Sequence, residues 1–215
     1  VRLRTAAHLL EPALLALRRE HLGRLDDVLG LGVVERRLLE RLQRVLRAAQ
    51  TAVDENIAFP ILIGRPNVID MRIRRYGLRL QPGVNVEIVD PEDDYRFNET
   101  WQGYFKLKNR HGVTPDLAKA LVRKHNTITG AMLMRRGDVD GLICGVTTRF
   151  YTQLEHIQDI IGLDEKAKVF AAMNALILPT QSIFVCDTHV NENPNAEEVA
   201  NMTLLAVKEV RRFGL

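Results

Sequence analysis

The residues best suited to chemistry follow a glycine-rich turn in the middle of the chain. The turn has the sequence Gly-Asp-Val-Asp-Gly at residues 137–141 and leads into a polar loop. Glycine lets a backbone approach a ligand closely, and hydroxyl and guanidinium groups donate hydrogen bonds to phosphate oxygens. The loop therefore predicts a site for a phosphate-bearing ligand. Its candidate binding residues are Gly145, Thr147, Thr148, Arg149 and Tyr151.

A second polar loop follows a predicted strand nearer the end of the chain. Its candidate ligand-binding residues are Asp187, His189 and Asn191. Polar residues at the carboxyl ends of strands are typical of binding sites in open α/β sheets. His189 has the right chemistry for a base near neutral pH, although an exposed loop histidine is the simpler interpretation. Asn191 and Asn193 fit a role in shaping the turn into the next helix, and a ligand contact is the alternative.

Other chemically suggestive residues favour structural interpretations. Asp138 and Asp140 lack a third neighbouring ligand, so we interpret them as turn formers whose oxygens accept backbone N–H bonds, and we predict no metal site. His156 has no histidine or cysteine partner one helical turn away, which favours a satisfied or solvent-facing side chain. Four arginines form a basic cluster: Arg72, Arg74, Arg75 and Arg79. We interpret this cluster as a solvated helix end, and the alternative is that it binds an anionic group of a nucleotide.

Composition sets further limits on function. The 215 residues include 46% hydrophobic and 27% charged residues, enough for a real core. A net charge of +3 does not argue for nucleic acid, so no nucleic-acid partner is expected. Cys144 and Cys186 form no metal-binding or disulfide pattern, and we expect two reduced thiols at buried strand ends. No apolar run suggests a membrane span, and we expect a cytoplasmic protein.

The elements that must position these loops alternate between helix and strand, which predicts a layered α/β fold with a mostly parallel sheet flanked by helices. Predicted strands cover residues 60–63, 84–89, 169–178 and 182–187, together with a strand ending at Gly145. Predicted helices cover residues 44–56, 97–110, 125–136, 151–161 and 195–213, with others beginning at Pro66 and at Thr114-Pro115. The aromatic stripe of Trp101, Tyr104 and Phe105 favours core packing over base stacking.

Residues 1–43 differ in composition from the rest, because leucine and arginine recur while lysine and aromatic residues are absent. Leu10, Leu14 and Leu17 have helical spacing, which fits a helical extension used for protein interaction. The alternative is a frameshifted or substituted beginning. We therefore divide the chain into this unmatched segment, a first α/β domain at residues 44–145, and the beginning of a second α/β domain at residues 146–215.

Three segments together carry a resemblance to a known family. The sequence GDVDGLICG at residues 137–145, AAMNALILPT at residues 171–180 and the stretch from DTHVNENP at residue 187 to the last helix look like the phosphate acetyl/butyryl transferase family. They are most similar to the version fused behind the catalytic half of bacterial NADP-dependent malic enzymes. The resemblance covers residues 44–215. It implies a fold of the phosphotransacetylase and isocitrate-dehydrogenase-like type, incomplete at the C-terminus.

The resemblance implies acyl transfer between phosphate and coenzyme A, or a regulatory domain that binds acetyl-CoA. Its ligands would be coenzyme A, acetyl-CoA or acetyl phosphate, with NADP and a divalent metal confined to an attached malic enzyme portion. Family members carry a serine where Cys144 stands, and their catalytic serine and aspartate lie in sequence beyond residue 215. We therefore expect this chain alone to be inactive. The resemblance also implies that the full-length protein forms a homo-oligomer.

Overall fold

The computed structural model describes residues 33–146 and 149–214, with side chains described from residue 41 onward. Two compact units divide between Ile161 and Gly162. The predicted boundary after Gly145 lies earlier, because the helix that follows the first polar loop packs within the first unit. Leu10, Leu14, Leu17, Thr147 and Thr148 lie outside the described residues.

The first unit contains six α-helices, a short 3-10 helix at Asn109–His111 and two strands among its described residues. The helices are α1 Val33–Asp54, α2 Pro66–Arg75, α3 Phe97–Lys108, α4 Pro115–Lys124, α5 Asn126–Arg136 and α6 Phe150–Ile160. The strands are β1 Ile61–Ile63 and β2 Glu87–Val89, paired in parallel with Ile61 opposite Glu87 and Ile63 opposite Val89. The predicted alternation and the parallel pairing are confirmed. The strand predicted at residues 84–89 is shorter, because only a single bridge between Pro82 and Val86 precedes it.

Helix starts and ends in the first unit follow local sequence signals. Pro66 occupies the first turn of α2, where its missing N–H costs nothing. Thr114 caps α4 by accepting a hydrogen bond from the Leu117 N–H, and Pro115 follows it. Gly137 ends α5 with φ of 82°, a conformation that glycine adopts without strain. These boundaries agree with the sequence predictions.

Two apolar clusters form the core of the first unit. One joins α1, α2 and the segment before β2 through Leu46, Ala49, Ile73, Leu80 and Val86. The other joins α3 to α6 through Tyr104, Ala118, Val122, Ile128, Ala131, Met132 and Ile160. Trp101 and Phe105 pack against the second cluster, so the aromatic stripe is core, as predicted. Burying a side chain such as Ile128 stabilises the fold by about 1.5–3 kcal/mol.

The second unit consists of a hairpin and a helix among its described residues. Strands β3 Met173–Ile177 and β4 Ser182–Cys186 pair antiparallel, and α7 Ala196–Arg212 follows. Asn195 and Glu198 form the predicted capping box at the start of α7, in which each side chain accepts from the other's backbone N–H. None of the helices in the described part of the chain is long and apolar enough to cross a membrane.

Candidate functional site

The start of α5 lies at the carboxyl end of β1. The Asn126 side-chain amide donates to the Ile63 carbonyl at 3.0 Å, which ties the helix to the last residue of the strand. Gly64 and Arg65 follow β1 directly, and the exposed Arg65 precedes α2 without capping it by a side-chain hydrogen bond. Sequence reasoning missed Arg65 and Asn126. The position of Arg65 between a strand and a helix-starting proline was a usable signal, whereas the Asn126 contact was not visible in the sequence.

The segment that leads into the first polar loop is not a strand. Residues 142–144 carry no strand assignment and pair with neither β1 nor β2, so the strand predicted to end at Gly145 is wrong. The segment is held by side-chain contacts with α5 instead of a strand ladder. After it, Gly145 has φ of 99°, which requires glycine, and the Val146 carbonyl accepts from Arg41 Nη1 at 3.1 Å.

Neither cysteine lies at a buried strand end, as the sequence predicted. Both residues are exposed; Cys144 lies in the irregular segment, and Cys186 ends β4. Although Cys144 is exposed as a residue, partial burial of its sulfur raises the pKa of the thiol, and a side-chain hydrogen bond with Thr127 opposes that rise. Burial also raises the pKa of Cys186, and the charge of Asp187 adds to the effect. Both thiols therefore stay protonated near neutral pH.

Arg149 marks the far end of the first polar loop. It is exposed, has an extended backbone, and precedes α6 without a side-chain hydrogen bond that would cap the helix. Uncapped N–H groups at a helix start favour anions, and a guanidinium group binds phosphate oxygens well. Tyr151 is 59% exposed, and its ring meets that of Phe150 edge to face at 5.5 Å. These features fit an anion site, and the assignment of Thr147 and Thr148 to it stays a prediction.

Asp138, in the turn at residues 137–141, does not act as the sequence suggested, while the turn-forming role of Asp140 stays a prediction. The Asp138 carboxylate accepts from Arg136 at 2.8 Å rather than from backbone N–H groups. Its own N–H donates to the Leu133 carbonyl and closes the end of α5. Within the described residues, no group of three or more His, Cys, Asp or Glu side chains could hold a metal ion.

Asp187 organises the second polar loop. Its carboxylate accepts hydrogen bonds from the backbone N–H groups of Ala172, Val190 and Asn191, and from the Asn191 side chain. Burial alone would raise the pKa of Asp187, but these hydrogen bonds outweigh it, so the pKa lies below its usual value. Asn191 also donates to the Phe170 carbonyl at 2.7 Å. The loop-shaping interpretation of Asn191 agrees with these contacts, and Asp187 shares that role.

His189 is exposed, and its Nδ1 lies 2.7 Å from the Thr188 hydroxyl. Its assignment as a base or ligand stays a prediction. The first loop belongs to the first unit and the Asp187 loop to the second.

The basic cluster and His156 have different outcomes. Arg74 pairs with Asp70 at 3.4 Å and Arg79 with Asp54 at 2.7 Å, both as exposed ion pairs, which fits the solvated helix end. His156 is neither satisfied nor solvent-facing. It is half-buried, its ring centroid lies 4.8 Å from that of His125, and its Nε2 is buried without a hydrogen-bond partner. The sequence could not show this contact, because His125 precedes α5 and His156 lies on α6.

Together these features define an α/β protein with two polar loops, of which the first follows an irregular segment and offers donors to an anionic ligand, and the second follows β4. The family model for phosphate acetyl/butaryl transferase matches residues 41–215. The chain belongs to this family. A solved phosphotransacetylase, EutD from Staphylococcus aureus, has the same fold, with a TM-score of 0.68 over 83% of this chain and 58% of that one, at 19% identity.

The curated relatives include malic enzymes and phosphate acetyltransferases. The chain is 46% identical over 172 residues to the NADP-dependent malic enzyme of Haemophilus influenzae, which covers 80% of this chain and 23% of that enzyme. The NAD-dependent malic enzyme of Rhizobium meliloti is 45% identical, with 80% and 22% covered. The phosphate acetyltransferase of Corynebacterium glutamicum is 27% identical, with 80% and 51% covered. The chain thus spans about a quarter of the length of the malic enzymes that it matches.

Proposed function

We propose that this chain is the ligand-binding domain of a longer malic-enzyme-type protein, and that it binds acetyl-CoA or a related acyl-phosphate compound as an effector. One observation carries the proposal. Over the same stretch of about 172 residues, the malic enzymes are 40–46% identical to this chain, whereas four phosphate acetyltransferases are 25–27% identical.

The first polar loop supplies the chemistry for such a ligand. Gly145 allows close approach of the backbone, and the exposed Arg149 stands at the uncapped start of α6. A pyrophosphate or acyl-phosphate group would be held by the Arg149 guanidinium and by the N–H groups of the first helical turn. The exposed Tyr151 adds an aromatic surface and a hydroxyl beside them.

The alternative is catalysis of acyl transfer, and the family assignment and the phosphotransacetylase fold favour it. That reaction places a coenzyme A thiolate against an acyl-phosphate carbonyl and stabilises the oxyanion that develops. An effector role instead requires that the ligand bind two states of the attached enzyme with unequal affinity.

A binding experiment combined with a turnover assay separates the two roles. The purified chain is titrated with acetyl-CoA by calorimetry and is assayed for release of coenzyme A thiol from acetyl-CoA and phosphate. We expect binding without turnover, and about tenfold weaker binding in Arg149→Ala because a charge-assisted hydrogen bond is lost. Arg211→Ala removes an exposed arginine with the same charge from the last turn of α7 and serves as the control.

Two other results of the binding and turnover experiment would contradict the effector role. Turnover by the purified chain would replace the effector role with acyl transfer. Absence of binding to acetyl-CoA, coenzyme A and acetyl phosphate would remove both roles. In the longer protein, which joins this domain to a malic enzyme portion, acetyl-CoA should change the rate of malate oxidation. Arg149→Ala should raise the acetyl-CoA concentration that gives half of that change.

A further inference from the structure

The first turns of α5 contact the carboxyl end of β1 at two points. The Asn126 side chain donates to the Ile63 carbonyl at 3.0 Å. Four residues later, Gly130 lies beside the Ile63 side chain, because a Cβ atom added at Gly130 would come within 3.1 Å of Ile63 Cδ1. Residues four apart share one face of a helix. This face of α5 therefore contacts both the backbone and the side chain of the last residue of β1.

The same glycine makes room for the segment that leads into the first polar loop. A Cβ atom added at Gly130 would lie 2.6 Å from Leu142 Cδ1, which is closer than packed atoms approach, so a side chain here would displace Leu142. Leu142 packs against the apolar cluster that includes residues of α5, whereas the next residue, Ile143, is 63% exposed. Residues 142–144 pair with no described strand. Leu142 therefore packs this segment onto α5.

We propose that Gly130 is a positioning residue for the candidate site, because its missing side chain lets Leu142 pack beside Ile63 and so fixes the distance between the segments that follow them. Arg65 lies two residues after Ile63, and Gly145 lies three residues after Leu142. The inference rests on the proposed function only for the identity of the ligand. A ligand that contacts both segments loses affinity when their separation changes, since its groups fit one spacing. Gly130 acts through Leu142 and Ile63 and does not touch the ligand.

Gly103 in α3 offers a matched control. A Cβ atom added there would come within 2.6 Å of Met132 Cε, the same distance to the end of a flexible side chain. Gly103→Ala and Gly130→Ala therefore make the same change in a helix interior, and both raise helix propensity. The methyl group added by Gly103→Ala meets Met132 of α5 rather than residues 142–144.

A compensating substitution tests whether Leu142 carries the effect. Leu142→Val keeps a branched apolar side chain and removes the δ-carbons that the methyl group added by Gly130→Ala would meet at 2.6 and 3.6 Å. The added methyl group then fills part of the space that the δ-carbons leave. The double variant should therefore behave more like the unchanged chain than Gly130→Ala alone does.

The reactivity of the two cysteines reports the position of the segment. Cys144 lies two residues after Leu142 and has a partly buried sulfur, while Cys186 lies in the second unit and serves as the internal reference. In Gly130→Ala, we expect iodoacetamide to alkylate Cys144 about three- to tenfold faster, because the displaced segment exposes the sulfur for a larger share of the time. Cys186 should keep its rate. Mass spectrometry of the two cysteine peptides measures both rates.

Ligand affinity separates positioning from a general loss of packing. Calorimetry should show acetyl-CoA binding about three- to tenfold weaker in Gly130→Ala and unchanged in Gly103→Ala. A merely structural role predicts a lower urea midpoint for Gly130→Ala, read from Trp101 fluorescence, with the same affinity as the unchanged chain. That result would contradict the inference.

The alkylation rates decide the inference even without a ligand. Equal Cys144 rates in Gly130→Ala and Gly103→Ala would overturn it, and so would a Cys144 rate that Leu142→Val does not restore in the double variant. If the unchanged chain binds no acetyl-CoA, the proposed function fails, but the Cys144 rates still decide whether Gly130 positions the segment. Should Gly130→Ala not fold, Leu142→Ala breaks the same contact from the segment. It should accelerate alkylation of Cys144 alone, and an unchanged rate would refute the positioning role.

Discussion

Each of the two units of this protein is stabilised internally by a different kind of interaction. In the first unit, every residue from 127 to 133 of α5 is buried, one apolar cluster includes residues of that helix, and a second includes residues of α1 and α2. In the described part of the second unit, Met202 is the residue of α7 that is buried, and neither β3 nor β4 contains a buried residue. Exposed apolar side chains there include Leu176, Ile177, Ile183 and Leu204, at 40–70% exposure.

The second unit depends on hydrogen bonds where the first depends on burial. Asp187 and Asn191 fix the loop after β4, and the capping box of Asn195 and Glu198 fixes the start of α7. A two-stranded hairpin gains little stability by itself in water. Chemically similar substitutions should therefore have unequal effects in the two units, and pH should change their stabilities over different ranges.

The largest expected effect is the loss of a core side chain in the first unit. Ile128 is fully buried, so Ile128→Ala should lower the free energy of unfolding by about 2–5 kcal/mol. Ile183 on β4 is 40% exposed, and Ile183→Ala should cost less than about 1 kcal/mol. Urea unfolding followed by fluorescence measures the first effect, because the chain has one tryptophan, Trp101, and it packs in the first unit.

The same two variants also test whether the units unfold separately. If Ile183→Ala shifted the unfolding seen by Trp101 as much as Ile128→Ala does, the two units would unfold as one and the contrast would be lost. A hydrogen-exchange measurement on β4 gives the corresponding readout for the second unit.

How much of this structure could be predicted from sequence depends on the range of the interactions. The starts of α4 and α7 were predictable, because Thr114-Pro115 and the Asn195 and Glu198 pair act on neighbouring backbone groups. Residues 142–144 have the composition of a strand, but a strand also needs a partner, and no described strand pairs with them. The composition of a segment indicates its tendency to form a strand, whereas a β-ladder also requires hydrogen bonds to a second segment.

In the candidate site, too, local features could be predicted from the sequence, whereas contacts between distant residues could not. Its two loops could be located from polar residues after apolar runs, and the shaping role of Asn191 followed from its place before a helix. The contact of Thr127 with Gln153 joins residues 26 positions apart, and the contact of Asn126 with Ile63 joins residues 63 apart. Such pairs depend on how helices pack, so neither residue type nor local spacing reveals them.

The next largest effect is expected at Asp187. Asp187→Asn replaces an oxygen acceptor with a donor among N–H groups, which should lower the stability of the second unit by about 1–3 kcal/mol. Because the pKa of Asp187 in the folded protein lies below its usual value of 3.8, its contribution is complete above that pH and is lost as pH falls through the folded pKa. Hydrogen exchange of residues 187–195 measures the effect. The exposed Glu192→Gln serves as the control, and equal exchange in both variants would contradict the role of Asp187.

The smallest effect is a pH dependence confined to the first unit. His125 and His156 lie ring against ring, and burial is the largest cause that lowers the pKa of each below the usual 6.5. Each neighbourhood adds charge effects. Lys124 and His156 lower the pKa of His125 further, Lys108 lowers that of His156, and Glu155 and Asp159 oppose the fall. The unfolded chain therefore takes up protons at a higher pH than the folded chain does.

The sign of the effect follows from this difference in proton binding. Stability should fall as pH drops through about 6.5 and should level off below the folded pKa values, since the unfolded state binds more protons in that window. His156→Phe keeps an aromatic ring, removes the unpartnered Nε2, and should reduce the slope of stability against pH by about half, as one of two titrating groups is lost. Glu155→Gln should act in the opposite direction, because the removed charge favours protonated His156. Urea midpoints from Trp101 fluorescence at pH 7.5, 6.5 and 5.5 measure both variants, and an unchanged slope in His156→Phe would show that this pair does not couple pH to the stability of the first unit.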